Sequence, residues 1–287
     1  MKNNVINYIR YVYSYKIIFL RNTNKRKTND KEKDMYKYDI DVLTNLAKKK
    51  ANNSKSKPAK YIARAIVTGF YVIVAIILSY TAGAILYPKY PEVAKIIVAA
   101  TFSFALALIV FLSGELFTGN NLVMCVGAIE RKVSIKDLLR VWIYSYIGNL
   151  IGSIIFSYLF VISGANREAI AHYIQVVVDG KLDLTVMEMI IRGILCNFTV
   201  CLGYLTGIKM KSESGKLIMM FFCVFSFIIA GFEHSVANMG VFSIGYFALG
   251  GLPILGILRN LLWVTIGNII GGGIILGFSA TYISIDE

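Results

Sequence analysis

The chain has 287 residues, 56% of them hydrophobic and only 16% charged, with a mean hydropathy of +0.63. A soluble domain carries about a quarter of its residues as charges, so this composition excludes one and points to a polytopic membrane protein. The net charge of +13, most of it in the first 64 residues, is read as the positive-inside bias of such a protein and not as a nucleic-acid surface.

Residues 5–20 are apolar but interrupted by Arg10 and Lys16, lack a small-residue cleavage site and run into further cations, so they do not read as a cleaved signal peptide. Residues 21–34 alternate charged and polar groups and are expected to be disordered; no function is assigned to 1–34. Tyr36–Lys50 predicts an amphipathic helix with Ile40, Val42, Leu43 and Leu46 on one side, within a cytoplasmic tail over 1–60. The channel-sized remainder, 61–287, holds six apolar runs near 62–86, 95–126, 138–163, 186–208, 216–240 and 258–283, each able to supply the roughly 20 residues of a spanning helix. Cations gather in the tail, after the second run (Arg131, Lys132, Lys136, Arg140) and after the fourth (Lys209, Lys211, Lys216). The other loops hold only Lys89, Lys95, Arg167 and Lys181, and 241–257 holds no charge. Both termini are therefore expected on the cytoplasmic face of the plasma (inner) membrane.

Two stretches interrupt the apolar pattern: Ser113-Gly114-Glu115-Leu116-Phe117-Thr118-Gly119-Asn120 and Gly231-Phe232-Glu233-His234-Ser235-Val236-Ala237-Asn238. Lipid cannot satisfy free backbone groups, so a break at membrane depth must be buried in protein or line a cavity. Gly148-Asn149-Leu150-Ile151-Gly152 in the third run and Gly267-Asn268-Ile269-Ile270-Gly271 in the sixth repeat one pattern. The order plain, broken, Gly-Asn-bearing thus occurs twice. Three spans per half put the halves in opposite orientation, giving a 3+3 inverted repeat with a substrate path near the midplane. The fold class expected is an all-α membrane protein of six transmembrane helices, the second and fifth broken.

His234 is the one histidine inside a predicted span; His172 falls in a loop on the far side. An ionisable group in a membrane break is read as functional. One histidine and two distant carboxylates make no zinc site, and no cofactor is implied. Glu115, Glu233 and Asn238 are given structural roles, the carboxylates accepting backbone N–H groups freed by the breaks. Thr118 and Asn197 are uncharged hydrogen-bonding groups facing a neighbouring helix or a ligand. Phe102 and Leu106 lie one turn apart, and Phe227 lies two turns from His234; they become gates only if the breaks line a pore. Cys125, Cys196, Cys201 and Cys223 read as small core residues.

At Gly114-Glu115-Leu116-Phe117-Thr118-Gly119-Asn120, at Gly193-Ile194-Leu195-Cys196-Asn197 with Val200-Cys201-Leu202, at Phe232-Glu233-His234-Ser235-Val236-Ala237-Asn238-Met239 and at Asn260-Leu261-Leu262-Trp263-Val264-Thr265, the chain resembles the formate/nitrite transporter family. The resemblance covers residues from about 40 to 283. It implies a homopentamer of six-helix protomers with an aquaporin-like outline, each with its own pore for small monovalent weak-acid anions such as formate, nitrite or hydrosulfide. It also implies that His234 is the midpore histidine, Thr118 its partner, Asn197 the polar group of the fourth span, and Phe102, Leu106, Leu116 and Phe227 the hydrophobic constrictions. Lys181, four residues before Thr185 and seven before Glu188, matches the vestibule lysine, although Leu182-Asp183-Leu184 departs from the usual histidine-bearing stretch and Asp183 would offset its charge. The His234–Met239 and Asn260–Thr265 runs, with Arg192, resemble the nitrite and hydrosulfide branches more than the formate branch.

Two rival readings lack the residues they need. A neutral-solute channel of the aquaporin type would need Asn-Pro-Ala at the breaks, and neither break has it. An intramembrane hydrolase built on Glu115, Glu233 and His234 lacks a nucleophile or a metal with convergent ligands. The expectation is a channel and not an enzyme, with small anions, membrane lipid and other copies of itself as partners and no nucleic acid.

Overall fold

The computed structural model describes residues 37–284; the expectations for residues 1–34 and the start of the first helix at Tyr36 lie outside them. All regular structure in this range is helical. Helix α1 (37–56) buries Ile40, Leu43, Ala47 and Ala51, with Thr44, Lys50 and Ser54, in the same core as the spans. Lys209 pairs with Asp39 near one end of α1 and Lys50 with Glu115 near the other. Helix α1 thus packs against the spans.

The first span is α2 (Pro58–Leu86), opened by a proline in its first turn, where the missing N–H costs nothing. The second begins as α3 (Pro91–Phe102) and α4 (Phe104–Phe111), and resumes after the break as α5 (Phe117–Ile129). A capping box of Ser134 and Asp137 starts α6 (Ile135–Ile162), the third span. Helix α7 (Arg167–Leu182) follows where the sequence suggested a loop. Its buried residues Ile170, Tyr173, Ile174 and Val178 fall on one face at helical spacing, so it lies as an amphipathic helix. A second capping box, Thr185 with Glu188, opens α8 (Val186–Lys209), the fourth span. The fifth is divided into α9 (Glu213–Ile229) and α10 (Ser235–Ala248). The sixth runs as α11 (Ile254–Asn268), a π-helical stretch (Ile269–Leu276) and α12 (Gly277–Ser284). Six spans result, the second and fifth broken, as expected. Ile143, Ile147, Ile151, Ile155 and Leu159 stand exposed along α6 while Ser145, Asn149, Ser153 and Ser157 are fully buried on its other side. That is the reverse of a soluble helix and suits a lipid-facing surface with small residues at the helix contacts.

The inverted repeat is visible in the packing. A Cβ at Gly152 would stand 2.1 Å from the Ile66 carbonyl oxygen of α2, and one at Gly271 would stand 2.0 Å from that of Ile194 in α8. The Gly-xxx-Gly pairs thus bring backbones together at matching places in each half. The unit is longer than three spans, because α1 precedes the first triplet as α7 precedes the second. Both breaks also close alike. Ser113 and Gly231 turn the chain through left-handed backbone, at φ 52° and 74°. The next amides then reach back, Gly114 to the Ile109 carbonyl at 2.7 Å and Phe232 to that of Phe227 at 3.0 Å, which is how a helix ends on a left-handed residue.

Candidate pore at the paired helix breaks

Two asparagines hold the breaks. Asn149 Oδ1 accepts the Phe117 amide at 2.9 Å, and its Nδ2 donates to the carbonyls of Ala65 and Glu115 at 2.9 and 3.0 Å. Asn268 does the same in the other half, accepting from Ser235 at 2.9 Å and donating to Gly193 and Glu233 at 2.8 and 3.0 Å. The Glu115 amide donates to Thr68 Oγ1 at 2.8 Å, and that of Glu233 to the Arg192 carbonyl at 3.3 Å. The freed amides are therefore answered by asparagines, a threonine and a carbonyl, and not by the glutamates to which the sequence assigned them. An amide side chain suits the task because it accepts from one strand of the break and donates to the other.

The glutamates bind side chains instead. Glu115 accepts from Lys50 Nζ at 2.5 Å, the Tyr61 hydroxyl at 2.7 Å and Asn120 Nδ2 at 3.4 Å. Glu233 accepts from Lys181 Nζ at 2.8 and 3.0 Å and from Asn238 Nδ2 at 2.6 Å. Asn238 also donates to Asn260 Oδ1 at 2.8 Å. Lys50 and Lys181 come from α1 and α7, so each amphipathic helix sends one lysine to its own break. The partner of Lys181 is Glu233 and not the nearby Asp183. Burial of both carboxylates, each 4% exposed, demands this complete set of donors.

Between the breaks, Thr118 Oγ1 lies 2.9 Å from His234 Nε2. His234 is also the N-cap of α10, its Nδ1 accepting the Ala237 amide at 3.0 Å. A ring nitrogen that accepts carries no proton, so the proton of the neutral ring is on Nε2 and is donated to Thr118. The hydroxyl proton of Thr118 is left free to donate to something else. Phe227 stacks on the imidazole with centroids 6.0 Å apart, and Phe102 meets Phe227 edge-on at 6.5 Å. Phe102, Leu106, Leu116, Phe227 and His234 line one cavity of about 20 Å³, room for about one water. On the α1 side a cavity of about 210 Å³ is lined by Lys49, Lys50, Arg64, Glu115 and Tyr204. On the α7 side one of about 50 Å³ is lined by Tyr80, Lys181, Asn238 and His234.

Of the residues expected on the path, neither Asn197 nor Thr118 itself lines these cavities, while His234 and Lys181 do. Asn197 is fully buried, and its Nδ2 donates to the Thr118 carbonyl at 3.3 Å and the Asn268 carbonyl at 2.7 Å. It braces Thr118 from behind. It also takes a carbonyl of the sixth span where the winding widens, and a Cβ at Gly272 would stand 2.4 Å from Asn197 Nδ2. A side chain inserted into a helix ladder beside glycines is a sufficient cause of the π-helical stretch. Sequence reasoning missed Asn149 and Asn268 as caps, and the partners Tyr61, Asn120 and Lys50. The repeated Gly-Asn pair was the available signal. Among the described residues no three or more His, Cys, Asp or Glu side chains converge to hold a metal.

The family model described as formate/nitrite transporter matches residues 39–282. The chain belongs to the formate/nitrite transporter family. A solved FNT family ion channel shares the fold with a TM-score of 0.80 and 30% identity, covering 86% of this chain and 99% of its own. A pentameric formate channel, solved with formate bound, gives a TM-score of 0.70 at 26% identity, over 81% of this chain and all of its own. The nitrite transporter NirC of Escherichia coli is 30% identical over 232 residues, 80% of this chain and 85% of NirC. The chain is thus a multi-pass membrane protein of an anion-transporting family, and not an enzyme.

Proposed function

We propose that this protein conducts small monovalent weak-acid anions, nitrite and hydrosulfide before formate, through a pore in each protomer of a homopentamer, with both termini cytoplasmic. The α1-side vestibule then faces the cytoplasm and the α7-side vestibule the outside. The observation that carries the reading is the Thr118–His234 contact of 2.9 Å, whose histidine lines a cavity of about 20 Å³ together with Phe102, Leu106, Leu116 and Phe227. The similarity to NirC and the His234–Met239 run support the nitrite branch, and the pentameric neighbour supports the assembly.

Stripping an anion of water inside an apolar ring costs tens of kcal/mol on an idealised estimate, and phenylalanine and leucine offer nothing in return. Lysines at the vestibules raise the local anion concentration. There the anion takes a proton from water, crosses the ring as its neutral acid and returns the proton to water on the far side. One anion and one proton move together, so the step carries no net charge. Thr118, oriented by His234, donates its free hydroxyl proton to the passing oxygen or sulfur. The histidine need not give up a proton. Liposome flux of formate, nitrite, hydrosulfide, lactate and chloride at several pH values tests this: the weak acids should pass faster as pH falls and chloride should not. Equal permeability to glycerol and formate would sink the reading.

A further inference from the structure

The two vestibules differ in a way the repeat makes legible. The contacts of Ile66 with Gly152 and of Ile194 with Gly271, and those of Ala65 with Asn149 and of Gly193 with Asn268, set α2 in register with α8. In that register Ile76 of α2 matches Tyr204 of α8, and Tyr80 matches Ile208. Ile76 and Tyr80 line the α7-side vestibule, and Tyr204 and Ile208 line the α1-side one. Each vestibule therefore receives one isoleucine and one tyrosine a turn apart, in swapped order. A Cβ at Gly119 would stand 3.3 Å from the ring of Tyr204, and the ring of Tyr80 meets Tyr173 edge-on at 5.5 Å. Both rings are held and each lines its vestibule, and among the described residues neither hydroxyl has a hydrogen-bond partner. Tyr61, by contrast, gives its proton to Glu115. Lys50 and Lys181 are likewise committed to glutamates.

We infer that Tyr80 and Tyr204 are two anion-binding donors, one per vestibule, that hold the weak-acid anion where it begins to shed water. This rests on the proposed conduction of such anions. A neutral phenol suits the position. It replaces one water of the hydration shell with a charge-assisted hydrogen bond, without adding a second charge that would trap the ion. The swap puts the α1-side phenol one turn nearer its break than the α7-side phenol, so the cytoplasmic site is the deeper of the two.

The test uses Tyr80→Phe and Tyr204→Phe in the full-length protein, with nitrite uptake measured in right-side-out and in inside-out vesicles. Weakening a binding well without touching the barrier raises the half-saturating concentration and the maximal rate together, and leaves permeability at low concentration unchanged. Tyr80→Phe should raise half-saturation about fivefold from the outside only, a lost charged hydrogen bond partly replaced by water. Tyr204→Phe should do so from the cytoplasmic side only. Unchanged half-saturation in both variants, equal shifts from both sides, or a lower maximal rate at constant half-saturation would overturn the assignment, the last marking a packing role. Wild-type vesicles separate the two claims: if they pass no weak-acid anion the proposed conduction fails, and if they pass it a missing double dissociation counts against the tyrosines alone.

Discussion

Thr118 and His234, from opposite broken spans, meet at 2.9 Å while the other ring nitrogen of His234 caps α10. One side chain thus serves both the scaffold and the pore, and substitutions can divide the two roles. Asparagine is a good N-cap but too short to reach Thr118; phenylalanine does neither. His234→Phe should lose about 1 kcal/mol of stability relative to His234→Asn, the value of a cap. Both should change anion preference or the pH profile of flux while the oligomer survives, and Thr118→Val should share that effect without the loss of stability. Detergent thermal melts beside liposome flux measure the two. A His234→Phe protein with unchanged flux, preference and pH profile would falsify the pore role.

The lysine–glutamate pairs predict an asymmetry. The Lys50 side chain is 4% exposed and that of Lys181 is 16% exposed. Removing one member of a buried pair leaves the other charge uncompensated, at a cost of about 3–5 kcal/mol. Lys50→Met should approach that range and reduce the yield of assembled protein. Lys181→Met should cost less, because the Lys181 side chain is the less buried of the two lysines. The paired Lys50→Met, Glu115→Leu change should recover much of the loss. A single variant as stable as wild type would show that Lys50 is held for some other reason.

Glycine substitutions sort contact from coincidence. Gly271→Ala and Gly152→Ala place a methyl about two ångströms from backbone oxygens of Ile194 and Ile66, which cannot yield as side chains do. Each should prevent the spans from closing, seen as aggregation in size-exclusion chromatography. Gly180 lies inside α7 with nothing near its Cβ position, so Gly180→Ala should stabilise by about 0.5–1 kcal/mol. Similar melting behaviour for all three variants would contradict the repeat packing described here.

The spans and both breaks were legible because lipid imposes one rule on every residue of a spanning helix, and glycine, carboxylate and asparagine violate it visibly. The inverted repeat was legible through Gly148-Asn149 and Gly267-Asn268, two rigid registers preserved in each half. Helix α7 was not, since its charges hide an apolar face only four residues deep. Nor were the partners of Glu115 and Glu233, because Lys50 and Lys181 reach them from helices distant in sequence and local pattern holds no record of such choices. Nor could hydrogen-bonding capacity alone tell that Asn197 gives its amide protons to the carbonyls of Thr118 and Asn268.

The apolar ring makes the last prediction. Phe102 and Phe227 meet edge-on, and Phe227 covers the imidazole of His234. If the ring is what forces an anion to cross as its neutral acid, then opening it should relax that demand. Phe102→Ala should let hydrated anions through, raising chloride and nitrite flux at neutral pH and flattening the rise of flux on acidification. Truncating a buried phenylalanine costs about 3–5 kcal/mol, so Phe102→Leu serves as the milder companion, expected to shift the profile in the same direction by a smaller amount. Flux of nitrite and of chloride in liposomes, each measured across a pH series with assembled protein quantified, decides the matter. An opened ring that raises nitrite flux at every pH in equal proportion, with chloride still excluded, would mean that the ring is a simple steric gate and that protonation is set elsewhere.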